Sequence, residues 1–328
     1  MHNKILERKI FWSPSVRWQY ENDKLKIEKY IYANIFFTLF PDFYFLTQRG
    51  IFESNLTAHF DFFNKKLLKM FINDLLNKKL LVNTILSPQE LFFTQNRLFE
   101  HNYGKTLIID AAQQAAFKKQ QLNRDYFPDC QNAVSLESGK TYCEYLVGRK
   151  SVRKFDADSK ISFSDFSFLA GTYGQLYENG EIRYLYASAG GLYPVDIYYC
   201  IKDGRVENIE SGIYYYDPVR NRLVSISPKR AVPKEAHYFT NQDIFADSAF
   251  SIFYFYNAEV SMPKYGGLGY YYAMIDTGIM VATYNLNAES RHIGVCSIGD
   301  MNFDCIRELF KLKSNQIYLH TLEVGLKE

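Results

Sequence analysis

Between Gly212 and Ile226 two runs of strand formers, Gly-Ile-Tyr-Tyr-Tyr and Arg-Leu-Val-Ser-Ile, flank Asp217-Pro218-Val219-Arg220-Asn221. Asp, Pro and Asn in that order are turn chemistry, so the chain doubles back and lays the two runs side by side. Further strand signals stand at 195–201, 249–256, 295–298 and 316–324. Helical patterns lie between them. The spacing predicts a short helix over 142–147, one over 162–176 with Ser162 as N-cap, a long one over 270–291 and a short one over 303–312. Hairpins mixed with helices, without a repeating strand-helix-strand unit, predict an α+β fold around an antiparallel sheet.

The first 140 residues read differently. Apolar residues recur at three and four over 62–76, the pattern of an amphipathic helix, followed by the break Asn77-Lys78-Lys79 and a strand-like Leu80-Leu81-Val82. Helix, break, strand is the closing half of a winged-helix-like unit. No basic recognition helix accompanies it, so peptide binding or packing on a neighbour is favoured over DNA. Residues 111–140 are polar and free of alternation, a linking helix and loop. The expected division is a winged-helix-like, partner-binding region and linker over 1–140 and a second domain over 141–328.

A formal net charge of +2 over 328 residues leaves no concentrated basic field for nucleic acid. The 27 Tyr and 27 Phe suit ring-rich cores. Residues 1–7 lack an apolar core of signal-peptide length, and the apolar run over 31–46 is interrupted by Asn34, Pro41 and Asp42, so no membrane association is expected and a cytoplasmic protein is. The five cysteines, Cys130, Cys143, Cys200, Cys296 and Cys305, are scattered and odd in number, which predicts free buried thiols rather than disulfides or a metal site.

Three segments carry chemistry. In Gly148-Arg149-Lys150-Ser151-Val152-Arg153, an extended backbone places Arg149, Ser151 and Arg153 on one side, two guanidiniums around a hydroxyl, which suits phosphate. Taken alone it is also the pattern of a solvated strand. In the stretch 186–198 the small residues Ser188-Ala189-Gly190-Gly191 separate two strand-like runs, and such a bare loop lets main-chain amides approach a flat or anionic group. In Lys264-Tyr265-Gly266-Gly267-Leu268-Gly269, glycines at a helix entrance open the backbone beside two side chains able to move protons.

Taken together these segments resemble the nitroreductase superfamily, and within it the dehydrogenases that form azoles in thiazole- and oxazole-modified peptides of the streptolysin S and microcin type. The resemblance rests on Arg149-x-Ser151-x-Arg153, Ser188-Ala189-Gly190-Gly191-Leu192-Tyr193-Pro194, Gly212-Ile213-Tyr214-Tyr215-Tyr216-Asp217-Pro218 and Lys264-Tyr265-Gly266, in that order, and covers about residues 142–326. It implies a nitroreductase-like antiparallel sheet flanked by helices, and FMN as cofactor. Arg149, Ser151 and Arg153 would hold the phosphate and ribityl chain, and Ser188, Ala189, Gly190 and Gly191 would lie against the ring system. Ile298 and Gly299, in Gly294-Val295-Cys296-Ser297-Ile298-Gly299, match the family's strand end at flavin N5, and Asn285 keeps half of a helix pair. Lys264 and Tyr265 would be the proton-transfer pair.

The implied reaction is the oxidation of a thiazoline or oxazoline in a ribosomally made precursor peptide, in company with cyclodehydratase subunits. A homodimer is implied too, with the strand over 316–324 reaching across. Two departures stand out: Asp276-Thr277-Gly278 where the family has a Gly-His pair, and a C-terminus without basic phosphate ligands. Two other readings stay open, an NAD(P)H-dependent nitro or quinone reductase and a non-catalytic scaffold of a heterocyclase complex.

Overall fold

A computed structural model describes residues 7–14, 16–88, 90, 110–126, 134, 136 and 142–328. The boundary expected at 140/141 and Cys130 lie outside the described residues.

The N-terminal region is built from β1 (Lys9–Trp12), β2 (Trp18–Glu21), β3 (Lys24–Ile27), β4 (Tyr30–Tyr32), α1 (Phe40–Gln48), β5 (Ile51–Phe52), α2 (Glu53–His59), α3 (Lys65–Asn77) and β6 (Leu81–Val82). Two small antiparallel sheets form, in the orders β5-β1-β6 and β2-β3-β4. The helix expected over 62–76 starts later because Asn64 caps it, accepting from the Lys66 and Leu67 amides. Its apolar stripe, Leu68, Phe71, Ile72 and Leu75, closes a core with Trp12, Phe40, Phe43 and Phe60. After α4 (Ala111–Leu122) come α5 (Glu144–Gly148), α6 (Phe163–Gly171) and the hairpin β7 (Leu176–Glu178) and β8 (Glu181–Arg183).

The rest consists of β9 (Val195–Ile201), β10 (Gly212–Asp217), β11 (Arg222–Pro228), α7 (Gln242–Asp247), β12 (Phe250–Asn257), α8 (Ala258–Tyr265), α9 (Leu268–Ser290), β13 (Ile293–Ile298) and β14 (Gln316–Leu326). Six strands form one sheet in the order β11-β10-β9-β12-β14-β13, every neighbour antiparallel. Both faces are covered, so β12 reads as an unbroken apolar run instead of alternating. Its Phe250, Ile252, Tyr254 and Tyr256 face α6 and α9, while Phe253 and Phe255 face Phe245, Phe303 and Phe310 on the other side. The helix-side core is tyrosine-rich: the Tyr173 and Tyr254 hydroxyls bond to each other, and the Tyr173 and Tyr284 rings stack at 5.4 Å.

Several expectations are corrected. The strand-like run expected at the start of 186–198, ahead of the glycine loop, does not form; Tyr186 and its neighbour Tyr184 turn their rings onto Tyr193 instead, at 5.5 and 3.9 Å. The strand just before, β8, pairs with β7 through Asn179-Gly180, both with positive φ, a two-residue hairpin turn written openly in the sequence but flanked by exposed residues. α6 ends at Gly171 rather than 176, in a tight turn that sends Tyr173 into the core. The helix expected over 303–312 is two 3-10 turns, Phe303–Cys305 and Arg307–Phe310. Ile306 at φ −119° breaks it and brings the Phe303 and Phe310 rings to 5.3 Å beneath the sheet. The strand 316–324 does not leave its own chain: β14 is paired on both edges, by β12 and β13. Of the cysteines, Cys200 and Cys296 are buried but Cys143 and Cys305 are exposed.

Candidate functional site

Lys264 and Tyr265 end α8. The helix stops at Gly266, whose φ of +55° and ψ of −139° belong to glycine territory, and its N–H closes on Met262 O at 2.8 Å. α9 begins two residues later, so the pair sits at the elbow between two helices. A Cβ on Gly269 would stand 2.7 Å from Ser261 Oγ and 2.9 Å from Tyr256 Oη, which shows how closely the helices meet. Lys264 Nζ lies 5.1 Å from the centre of the Tyr265 ring, and Tyr265 packs edge-on to Tyr272 at 5.3 Å.

The glycine loop lies directly opposite. Ser188 is extended, residues Ala189–Gly191 make a short 3-10 turn, and Gly190, Gly191 and Tyr193 all have positive φ. A Cβ on Gly190 would fall 2.1 Å from Tyr265 Oη and 2.8 Å from Lys264 Nζ. The absence of a side chain is therefore what lets the loop meet the pair. Sequence reasoning missed what holds the loop. Asp276, inside α9, accepts from Ser188 Oγ at 2.6 Å and from the Ala189 N–H at 3.3 Å. Burial raises its pKa, with the two hydrogen bonds acting the other way. The available signal was a carboxylate at a core position of an otherwise apolar helix.

A second group gathers at the far end of α9. Val152 N–H donates to Val295 O at 3.0 Å, and Asp156 N–H to Leu326 O, so residues 152–156 run beside β13 and β14. Val152 and Phe155 turn inward over Gly294 and Gly325, where a Cβ would meet them at 2.8 to 2.9 Å. Arg149, Ser151 and Arg153 are exposed, with Val152 turned in between them. Ile298, on the same strand, is buried, and Gly299 just after it is exposed with open space around its Cα. Cys296 is buried and its pKa is raised by that burial, against the charge of Arg153. Asn285, on α9, spends its amide on Val281 O at 2.7 Å, one turn back on its own helix.

The sequence-derived residues thus form two groups. Lys264 and Tyr265 meet Gly190 near Asp276, whereas Gly148 adjoins Glu289 in the last turn of α9. Asp276 and Glu289 are thirteen positions apart on this helix, roughly 20 Å of axis.

Residues 146–325, more than half of the chain, match the model of the nitroreductase family. This chain belongs to that family. Its members typically bind flavin. A protein of Methanocaldococcus jannaschii described as a putative nitroreductase is 29% identical over 185 residues, covering 56% of this chain and 90% of its own. Among solved structures, a chain of the Escherichia coli microcin synthetase complex McbBCD, determined with truncated pro-MccB17 bound, superposes with a TM-score of 0.54 at 18% identity over 82% of this chain and 95% of its own. At that identity the likeness is one of fold. It extends past the nitroreductase-family segment, as the 82% coverage against 55% shows (residues 146–325 being 180 of 328). Among the described residues no helix is long and apolar enough to cross a membrane.

Proposed function

We propose that this nitroreductase-family oxidoreductase is an FMN-dependent azoline dehydrogenase, oxidising peptide thiazolines or oxazolines to thiazoles or oxazoles. The observation that carries the reading is the convergence of Lys264 Nζ and Tyr265 Oη on the bare backbone of Gly190. The donors present fit FMN: two exposed guanidiniums and a hydroxyl for a phosphate and its polyol chain, and a loop without side chains for a flat ring. Arg149, Ser151 and Arg153 take the phosphate end. Ser188, Ala189, Gly190 and Gly191 take the ring face, and Ile298 and Gly299 its edge. Asn285 would first have to release Val281 O.

FMN, when bound there, supplies the two-electron acceptor that aromatisation of the ring requires. The chain's own share is position and proton transfer. Lys264 takes the proton from the carbon beside the carbonyl, and Tyr265, against the same loop, holds or returns it.

In this proposal the enzyme is a homodimer. Leu268, Tyr271, Ile275 and Ile279 leave an exposed apolar stripe along α9, the kind of face that a second copy of the chain would cover. The region over 1–140 meets cyclodehydratase subunits and the precursor peptide, in the cytoplasm.

The test is direct. Purified protein should be yellow and release FMN on denaturation, and with an azoline peptide should give a product lighter by two hydrogens. Colourless protein that cannot be reconstituted ends the flavin reading. Rapid NAD(P)H consumption with a nitroaromatic, and none of the azoline oxidised, would put a nitro or quinone reductase in its place.

A further inference from the structure

Asp276 is 3% exposed on a helix face that otherwise buries Ala273, Met280 and Tyr284. An apolar residue would suit burial better, since a carboxylate there loses its water. What the acid supplies is a two-point hold, on Ser188 Oγ and on the Ala189 amide. The hold is passed on. Ser188 Oγ accepts from the Tyr193 N–H at 3.0 Å, closing the loop on itself. Within that loop Gly190 and Gly191 adopt positive φ freely, but Tyr193 does so at φ +51°, and such backbone in a residue with a side chain persists only where its surroundings over-determine it. Gly190 in turn is the surface against which Tyr265 Oη and Lys264 Nζ rest.

We propose that Asp276 is a positioning residue: through Ser188 and Ala189 it sets where Gly190 stands, and so where Lys264 and Tyr265 present their polar atoms. The catalytic part of this inference rests on the azoline reading above; the clamp does not.

Asp276→Ala and Asp276→Asn, made in the full chain with FMN bound, separate the two. Hydrogen exchange of the peptide over 187–194 reads the clamp without turnover. Exchange should quicken about tenfold or more in Asp276→Ala. It should quicken less in Asp276→Asn, whose amide oxygen still accepts one of the two bonds. Oxidation of an azoline peptide reads the consequence. In Asp276→Ala kcat should fall about 10- to 100-fold, the scale of a 1 Å misplacement, with KM and flavin content near wild type. Asp276→Asn should recover most of that loss. On a Lys264→Ala background the same Asp276→Ala change should cost less than about threefold, because residues acting through one another do not add. Unchanged exchange overturns the clamp. Quickened exchange with unchanged kcat, or a full additional loss on top of Lys264→Ala, overturns the positioning role. Wild-type protein that oxidises no azoline overturns the proposed reaction and that role with it, while exchange still decides the clamp.

Discussion

One added carbon at Gly190 would occupy the space of the Tyr265 hydroxyl, on a backbone at φ +63°. Gly190→Ala should therefore cost about 1–2 kcal/mol of stability for its left-handed backbone, and more than that in turnover, a split that thermal melts and kcat separate. Lys264→Ala and Tyr265→Phe should act oppositely to Arg149→Ala and Arg153→Ala. The first two keep flavin and lose about a hundred- to ten-thousand-fold in rate; the arginine variants lose flavin with the fold intact. Absorbance after gel filtration and a turnover assay check both. These residues could be singled out in the sequence because each sits in a local motif. Asp276 was not, since its partner Ser188 lies 88 positions away and the carboxylate looked like an interruption of the helix. Only folding shows that the two face each other.

Among the elements, strands were easiest to read because β-branched and aromatic runs, as in β9 and β12, need little context. What escaped was whatever packing decides: the rings of Tyr184 and Tyr186 leaving the strand direction, and the broken helix under Phe303 and Phe310. The lock between the Arg149 segment and the sheet is also of this kind. Because Val152 and Phe155 sit where side chains at Gly294 and Gly325 would be, Gly294→Val should push the segment off β13 and loosen flavin by about tenfold or more, by analogy with other overpacked contacts, readable by fluorescence titration.

β14 carries a further device. Glu323 is wholly buried, accepts from Ser248 Oγ at 2.6 Å and Ser251 Oγ at 2.9 Å, and faces His237 Nε2 at 3.6 Å, with Lys202 bonded to Ser248 Oγ nearby. Burial pushes Glu323 up to about 8 and His237 down to about 4. Between about pH 6.5 and 8 the folded chain keeps a glutamate proton that the unfolded chain has already given up near 4.5, so stability falls with rising pH. We expect a loss of at most about 2 kcal/mol across that window, and Glu323→Gln should remove it. Between about 4.5 and 6.5 the histidine works the other way and offsets the slope, because there the unfolded chain binds a proton that the folded one refuses. Urea midpoints at pH 5, 6.5 and 8 check the pattern; an unaltered fall in Glu323→Gln would refute it.

At the scale of the whole molecule, the exposed apolar stripe on α9 gives the dimer its prediction. Ile275→Glu, on the exposed stripe, should convert dimer to monomer in light scattering and strip FMN together with it, although Ile275 belongs to neither group. A monomeric wild-type protein that still holds FMN would contradict the shared site. The placing of β14 has a consequence for how such a protein is made. It follows every other strand in chain order, yet it stands between β12 and β13, and β13 reaches the sheet only through it. On the ribosome, a chain that has not yet delivered residues 316–326 presents the open edge of β12 to any passing strand and leaves β13 unpartnered, so the nascent protein is at its most vulnerable to aggregation just before its sheet closes.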